Sequence, residues 1–135
     1  MTIFYDKDRD YAEVFFRKDE NYGEEISSVL TVFKSEKSDK IVGYAFEEAS
    51  RSLFESDVLS PSVKLAALLK MIRAREELTQ EAAAEKIGEI ALRHYQRLEA
   101  GEDNPTLSTV ENLMKAFPQY DFSQILKHPV GADVA

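Results

Sequence analysis

The chain contains no cysteine, which excludes disulfides, thiolate metal sites and cysteine nucleophiles. It also has no apolar run near the roughly 18 residues that a membrane span requires, and its first twenty residues are broken throughout by Asp, Lys, Arg and Glu. A cytoplasmic protein is therefore expected, with no role at a membrane. Only two histidines occur, His94 and His128, far apart in sequence and too few to suggest a metal centre. No Gly-rich phosphate loop, nucleophile elbow or Ser/His/Asp constellation is present, so neither an enzyme nor a cofactor is expected. "DKDRD", residues 6 to 10, has the alternating acids of half a calcium loop, but lacks the glycine and the distant bidentate Glu of an EF-hand. The paired acids Glu24 and Glu25, Glu47 and Glu48, and Glu76 and Glu77 alternate faces and read as solvated surface. Internal repeats and low-complexity tracts are lacking too.

What is present is unevenly distributed. The 135 residues are 44% hydrophobic and carry a net charge of −8, enough to bury one medium core or two small ones. Residues 1 to 60 hold 8 Lys and Arg against 14 Asp and Glu, while the rest hold 9 against 11. Ten of the 14 aromatic residues also fall in the first 60 positions, whereas the second part is built on Ala, Leu and Ile. Two small domains are expected, an acidic β-sheet domain over 1–58 and a helical domain over 61–128, divided at "ESDVLSPS". The overall acidity opposes loose, sequence-blind association with nucleic acid or anionic membranes.

In the first part, "TIFYD" is β-prone and stops at the charged turn, and "YAEVFFRK" resumes with Ala12, Val14 and Phe16 on one side. The pattern breaks around Asn21 to Gly23, and "ISSVLTVFKSEKSDKIVGYAF" gives two more strands joined by Ser35 to Lys40. This predicts an antiparallel sheet of about four strands, covered by a short helix at "EEASRSLF". In the second part, Pro61 can open a helix in which Leu65, Leu68, Leu69 and Ile72 form one apolar stripe. Thr79 can N-cap "QEAAAEKI" and Gly88 can end it. Leu92, Tyr95 and Leu98 then face one way and Arg93, Gln96 and Arg97 the other, until Gly101 stops the helix. Leu107, Val110, Leu113, Met114 and Phe117 mark another helix capped by Thr106 or Ser108, and Asp121 can cap a last short one, "FSQIL". Met71 and Met114 lie on apolar stripes and are expected in the core. The fold class is α+β.

"LTQEAAAEKIG", "YQRLEAG" and "NPTLSTVENLMKAF", in that order between Val63 and Leu126, resemble the helix-turn-helix domain of Cro and phage-repressor regulators. The resemblance implies five helices, the third of which fills the major groove of double-stranded operator DNA, where every base pair shows a distinct donor and acceptor pattern. It also implies roles for individual residues. Gln80 would contact phosphate; Leu92, Arg93 and Arg97 would reach base edges, with His94 and Gln96 beside them; Arg73 and Glu99 would form a structural ion pair. Arginine suits this work because its planar fork can bind guanine O6 and N7 together.

Three features depart from the family pattern. The interval from Gly88 to Gly101 is one residue longer than the common spacing, which makes Glu89 an insertion in the turn. Ala91 stands where a capping Ser or Thr is usual, at a cost of about 1 kcal/mol. Glu102 and Asp103 occupy a loop that is often basic, and would repel the DNA backbone. A single copy should therefore bind weakly, and a homodimer presenting two such helices about 34 Å apart would roughly double the contacts. On spacing alone, Arg93 and Arg97 equally describe a solvated helix face bridged to Glu89 or Glu99. The corresponding alternative function is a protein-interaction module that has lost DNA binding.

"YDKDRDYAEVFF" and "SDKIVGYAFEEAS" resemble a small bacterial family of unknown function, over residues 1 to about 52, which implies a compact sheet packed by a helix and no chemistry. Repressor-class proteins carrying a small extra domain include antitoxins. The expected function is thus a dimeric repressor, with a basic partner such as a toxin as one candidate ligand of the acidic domain.

Overall fold

A computed structural model of the chain describes residues 1–88 and 90–126. Glu89, read above as an insertion, and His128, weighed above as a metal ligand, lie outside the described residues. The chain divides into two compact units, Met1–Phe54 and the remainder from Glu55.

The first unit is a five-stranded antiparallel sheet: β1 (Thr2–Asp6), β2 (Tyr11–Phe15), β3 (Asn21–Glu25), β4 (Leu30–Ser35) and β5 (Ile41–Phe46), in the order β1-β2-β5-β4-β3. A short helix, α1 (Ala49–Glu55), follows. The pairing register places Ile3, Val14, Tyr44 and Val32 in one row across β1, β2, β5 and β4, and all four are buried. Ala12 and Phe46 form the next row, and α1 adds the buried Ala49, Leu53 and Phe54.

On the opposite face the row through Phe15, Gly43, Phe33 and Gly23 brings the Phe15 and Phe33 rings to 5.0 Å across Gly43. A Cβ at Gly43 would lie 2.7 Å from the Phe15 ring and 2.6 Å from the Val14 carbonyl oxygen, so only glycine fits. The helix start is held from a distance. Asp10, at φ 50°, accepts hydrogen bonds from the Ser50 backbone N–H (3.1 Å) and hydroxyl (2.6 Å), and its carbonyl accepts from Ala49 N–H (2.8 Å). The acidic turn thus caps α1.

The sheet, expected to have about four strands, has five: β3 carries no apolar alternation because it is an edge strand, exposed along most of its length and joined to β4 through backbone pairing. Phe16 lies just beyond the end of β2 and is 40% exposed, packing edge-to-face against Tyr44.

Among its described residues the second unit has four α-helices, α2 (Pro61–Glu76), α3 (Gln80–Ile87), α4 (Leu92–Glu99) and α5 (Leu107–Ala116), followed by a 3-10 helix, Phe122–Leu126. The expected fifth helix is this 3-10 turn, in which Asp121 accepts from the Ser123 backbone N–H. Ser60, Thr79 and Thr106 each accept a hydrogen bond from the backbone N–H three residues on, at 3.3, 3.0 and 3.1 Å, and so fix the starts of α2, α3 and α5. Pro61 opens α2 where its missing N–H costs nothing. Leu65, Leu68, Leu69, Met71 and Ile72 of α2 pack in a core with Ala83, Ile87, Tyr95, Leu98, Leu113, Phe117 and Phe122. Met114 is not in it, being 53% exposed: helical periodicity marks an apolar side of α5 wider than the part that its own unit covers. Buried Lys64 donates from Nζ to the Ser56 carbonyl at 2.7 Å; burial lowers its pKa, and Asp57 partly offsets this.

Candidate nucleic-acid interface

Two short helices packed against each other, α3 and α4, form the candidate site. α3 ends at Gly88, whose φ of 99° is open to glycine and strained for other residues. α4 ends in a Schellman motif: Gly101, at φ 74°, donates to the Leu98 carbonyl and Glu102 N–H to that of Arg97, at 3.1 and 3.0 Å. The start of α4 is not capped in this way. Ala91 has extended backbone and no side-chain hydrogen bond to offer, as its methyl group dictates.

The two faces of α4 have different work. Tyr95, Leu98 and Glu99 are buried and anchor the helix against α2 and α3. Arg93, Gln96 and Arg97 are exposed on the other side, and Leu92 and His94 are half-buried between the two. Of the six residues expected to meet DNA, three therefore project from α4, two flank them, and Gln80 stands half-buried at the first turn of α3.

A hydrogen-bonded chain connects the buried side to the exposed one. Arg73 on α2 grips the Glu99 carboxylate with two donors, at 2.6 and 2.8 Å, and gives a third to the Leu78 carbonyl at 3.1 Å. Gln80 donates to Glu99 at 3.4 Å and accepts from the Gln96 amide at 3.1 Å. Burial alone would raise the pKa of the Glu99 carboxyl, but the hydrogen bonds from Arg73 and Tyr95 outweigh it and hold the group below the usual carboxylate range. Burial, and then the Glu99 charge, push the Tyr95 phenol far above its ordinary value. The charge on Glu99 is thus fixed, and Gln96 is aimed by a relay that begins at it.

The arginines are held differently. Arg93 makes no ion pair with any described residue. Arg97 Nε donates to Asp103 Oδ2 at 2.9 Å, which leaves the terminal nitrogens of its fork unspent. The alternative pairing of Arg97 with Glu99 is not formed, because Glu99 is already taken by Arg73. Asp103, anticipated only as a repelling carboxylate, is a direct partner of Arg97. Its signal in the sequence was Gly101, which allows the chain to fold back along the end of α4. The Gln80–Gln96 link was not anticipated, since two glutamines 16 residues apart carry no spacing cue.

Chemically, the outer face of α4 offers planar hydrogen-bond donors and an amide that both donates and accepts, the groups that read base edges in a major groove. Among the described residues no cluster of three or more His, Asp or Glu could hold a metal ion, and no helix is long and apolar enough to cross a membrane.

A family model described as helix-turn-helix matches residues 69–125, the segment from the middle of α2 to the 3-10 helix. No curated protein and no solved structure matches the chain. The C-terminal region is a helix-turn-helix domain of the Cro-repressor type, with α3 and α4 as its two signature helices.

Proposed function

With a DNA-binding helix-turn-helix domain of a regulatory protein as the premise, we propose that the chain is a sequence-specific, dimeric transcriptional repressor acting in the cytoplasm. In this reading Arg93, Gln96 and Arg97 contact base edges from α4, Leu92 and His94 border the contact, and Gln80 meets a phosphate at the start of α3. The observation that carries it is the division of α4 into a buried anchor and an outward face whose Gln96 and Arg97 are each held by a neighbouring side chain, Gln80 and Asp103. Preorganised side chains lose less freedom on binding than mobile ones.

Selection of binding duplexes from a random-sequence pool tests the reading. A consensus should emerge, and Arg93→Ala should weaken binding to it by roughly 10- to 100-fold, as expected for loss of a bidentate guanine contact. No enrichment at any salt concentration would instead favour the assembly module without DNA binding.

The acidic first unit supports a second role, capture of a basic protein partner in the manner of an antitoxin. Its support is the charge imbalance, 8 basic against 12 acidic residues within Met1–Phe54. Copurification of a basic protein with the full chain, released by salt, is the expected result, and recovery of the chain alone counts against the role.

A further inference from the structure

β3 is an outermost strand of the first unit, paired with β4 on one side only. The bonds that bracket it fix which of its backbone groups face outward. Glu36 N–H donates to the Glu20 carbonyl and Ile26 N–H to the Leu30 carbonyl, each at 2.9 Å. The register between these two pairs has no shift, and directly opposed residues of an antiparallel ladder alternate between bonded and non-bonded pairs. Tyr22 and Glu24 therefore turn their N–H and C=O groups toward β4. Asn21, Gly23 and Glu25 turn theirs to the open edge, where no described residue bonds to them.

The edge has a definite chemistry. Edges are commonly blunted with proline, lysine or a bulge, but "DENYGEE", residues 19 to 25, contains neither proline nor lysine, and the bulge of this sheet lies between β4 and β5. It carries four acids and no cation. Lys34 across the ladder answers Glu24 at 2.8 Å, whereas Asp19, Glu20 and Glu25 form no ion pair with any described residue. Such an edge repels a second copy of itself and attracts a strand of opposite charge. Gly23 adds a place for one side chain. A Cβ there would stand 3.2 Å from the half-buried Phe33 ring, so on this side no side chain of Gly23 covers the ring, and Tyr22, 41% exposed, projects from the other face.

We infer that the open edge of β3 is the docking site of an extended, basic segment of a partner protein, which joins the sheet as an additional strand. The inference rests on the basic partner of the second role above and names where, and in what conformation, that partner is held. Backbone bonds to Asn21, Gly23 and Glu25 supply affinity, as in other cases of strand addition. Side chains supply choice: an aromatic residue across from Gly23 lies over the glycine against Phe33, and a Lys or Arg two residues away, on the same face, meets Glu25.

Random segments of about ten residues, displayed on phage and selected on the full chain, provide the test. Enriched segments should pair an aromatic residue with Lys or Arg at a spacing of two. A synthetic peptide of the enriched sequence should lose binding when N-methylated at alternate residues, those whose N–H meets the edge, and keep it when methylated at the residues between. Glu25→Lys should weaken its binding roughly 3- to 10-fold, and Glu25→Pro about 10-fold by removing an outward donor as well as the charge. The proline spares the sheet's own ladder, because that N–H faces away from β4, which far-UV circular dichroism verifies; Glu25→Lys leaves the backbone untouched. No enrichment, enrichment without cations, no alternation in the methylation series, or full binding by both variants overturns the inference. So does a dimer of the wild-type chain that either variant dissociates, since a second copy then holds the edge. Capture of a basic protein that both variants retain leaves the second role standing and removes this surface; peptides that bind while no basic protein copurifies do the reverse.

Discussion

Glu99 is the residue on which the geometry of α4 turns. Its carboxylate is buried, doubly held by Arg73, and linked through Gln80 to Gln96. Glu99→Gln strands the Arg73 guanidinium, and because Arg73 remains 25% exposed the cost should fall near 2 kcal/mol, below the 3–5 kcal/mol of a fully buried pair. The folded-state pKa of Glu99 lies below its unfolded value. Its contribution is therefore complete above the ordinary carboxylate pKa and disappears as pH falls through the depressed one. Urea denaturation at pH 6 and at successively lower values down to pH 3 should show the wild type losing its advantage over Glu99→Gln with acidification. A constant gap would contradict the assignment. Asp103 acts on the reading face more directly. Asp103→Asn should raise affinity for any duplex and steepen the salt dependence by about one ion, while the ratio of target to scrambled binding falls, because Arg97 is no longer oriented. Fluorescence anisotropy across a salt series measures both effects, and an unchanged ratio would mean that Asp103 only repels.

At the level of elements, α4 begins without a side-chain cap although Ala91 has the extended backbone that a capping residue adopts. Ala91→Ser should add about 0.5–1 kcal/mol of stability in thermal or chemical denaturation. In the sheet, Gly43→Ala should destabilise the first unit by about 1–3 kcal/mol, since the added methyl meets both the Phe15 ring and the backbone. Loss of near-ultraviolet aromatic circular dichroism at a lower urea concentration would report it. Helix ends were the most legible features in the sequence, because Ser60-Pro61, Thr79, Gly88 and Gly101 act through their own local chemistry. The outward triad Arg93, Gln96 and Arg97 was legible by periodicity for the same reason. β3 was not, because an edge strand such as "NYGEE" takes its structure from the neighbour that it pairs with. Nor was the exposure of Met114, since an apolar stripe does not say whether its own chain or another covers it. The Asp10 cap on α1 and the Asp103 hold on Arg97 are pairings of distant or folded-back residues, to which no periodicity points.

For the molecule as a whole, the decisive quantity is how little positive charge it brings to DNA. With 25 acidic against 17 basic residues, and Arg97 already partnered, few phosphates can be neutralised per copy. The slope of log affinity against log salt should be shallow, of the order of −3 to −5 for two copies and far from the −10 of a strongly basic binder. A titration from low to high salt checks this, and a steep slope would mean that contacts beyond α3 and α4 carry the binding. The strand order has a consequence for biosynthesis. β5, the last strand to leave the ribosome, occupies the middle of the sheet, between β2 and β4. Both earlier hairpins must wait on the nascent chain with the inner edges of β2 and β4 still bare, and the sheet closes in a single late step once Phe46 has emerged.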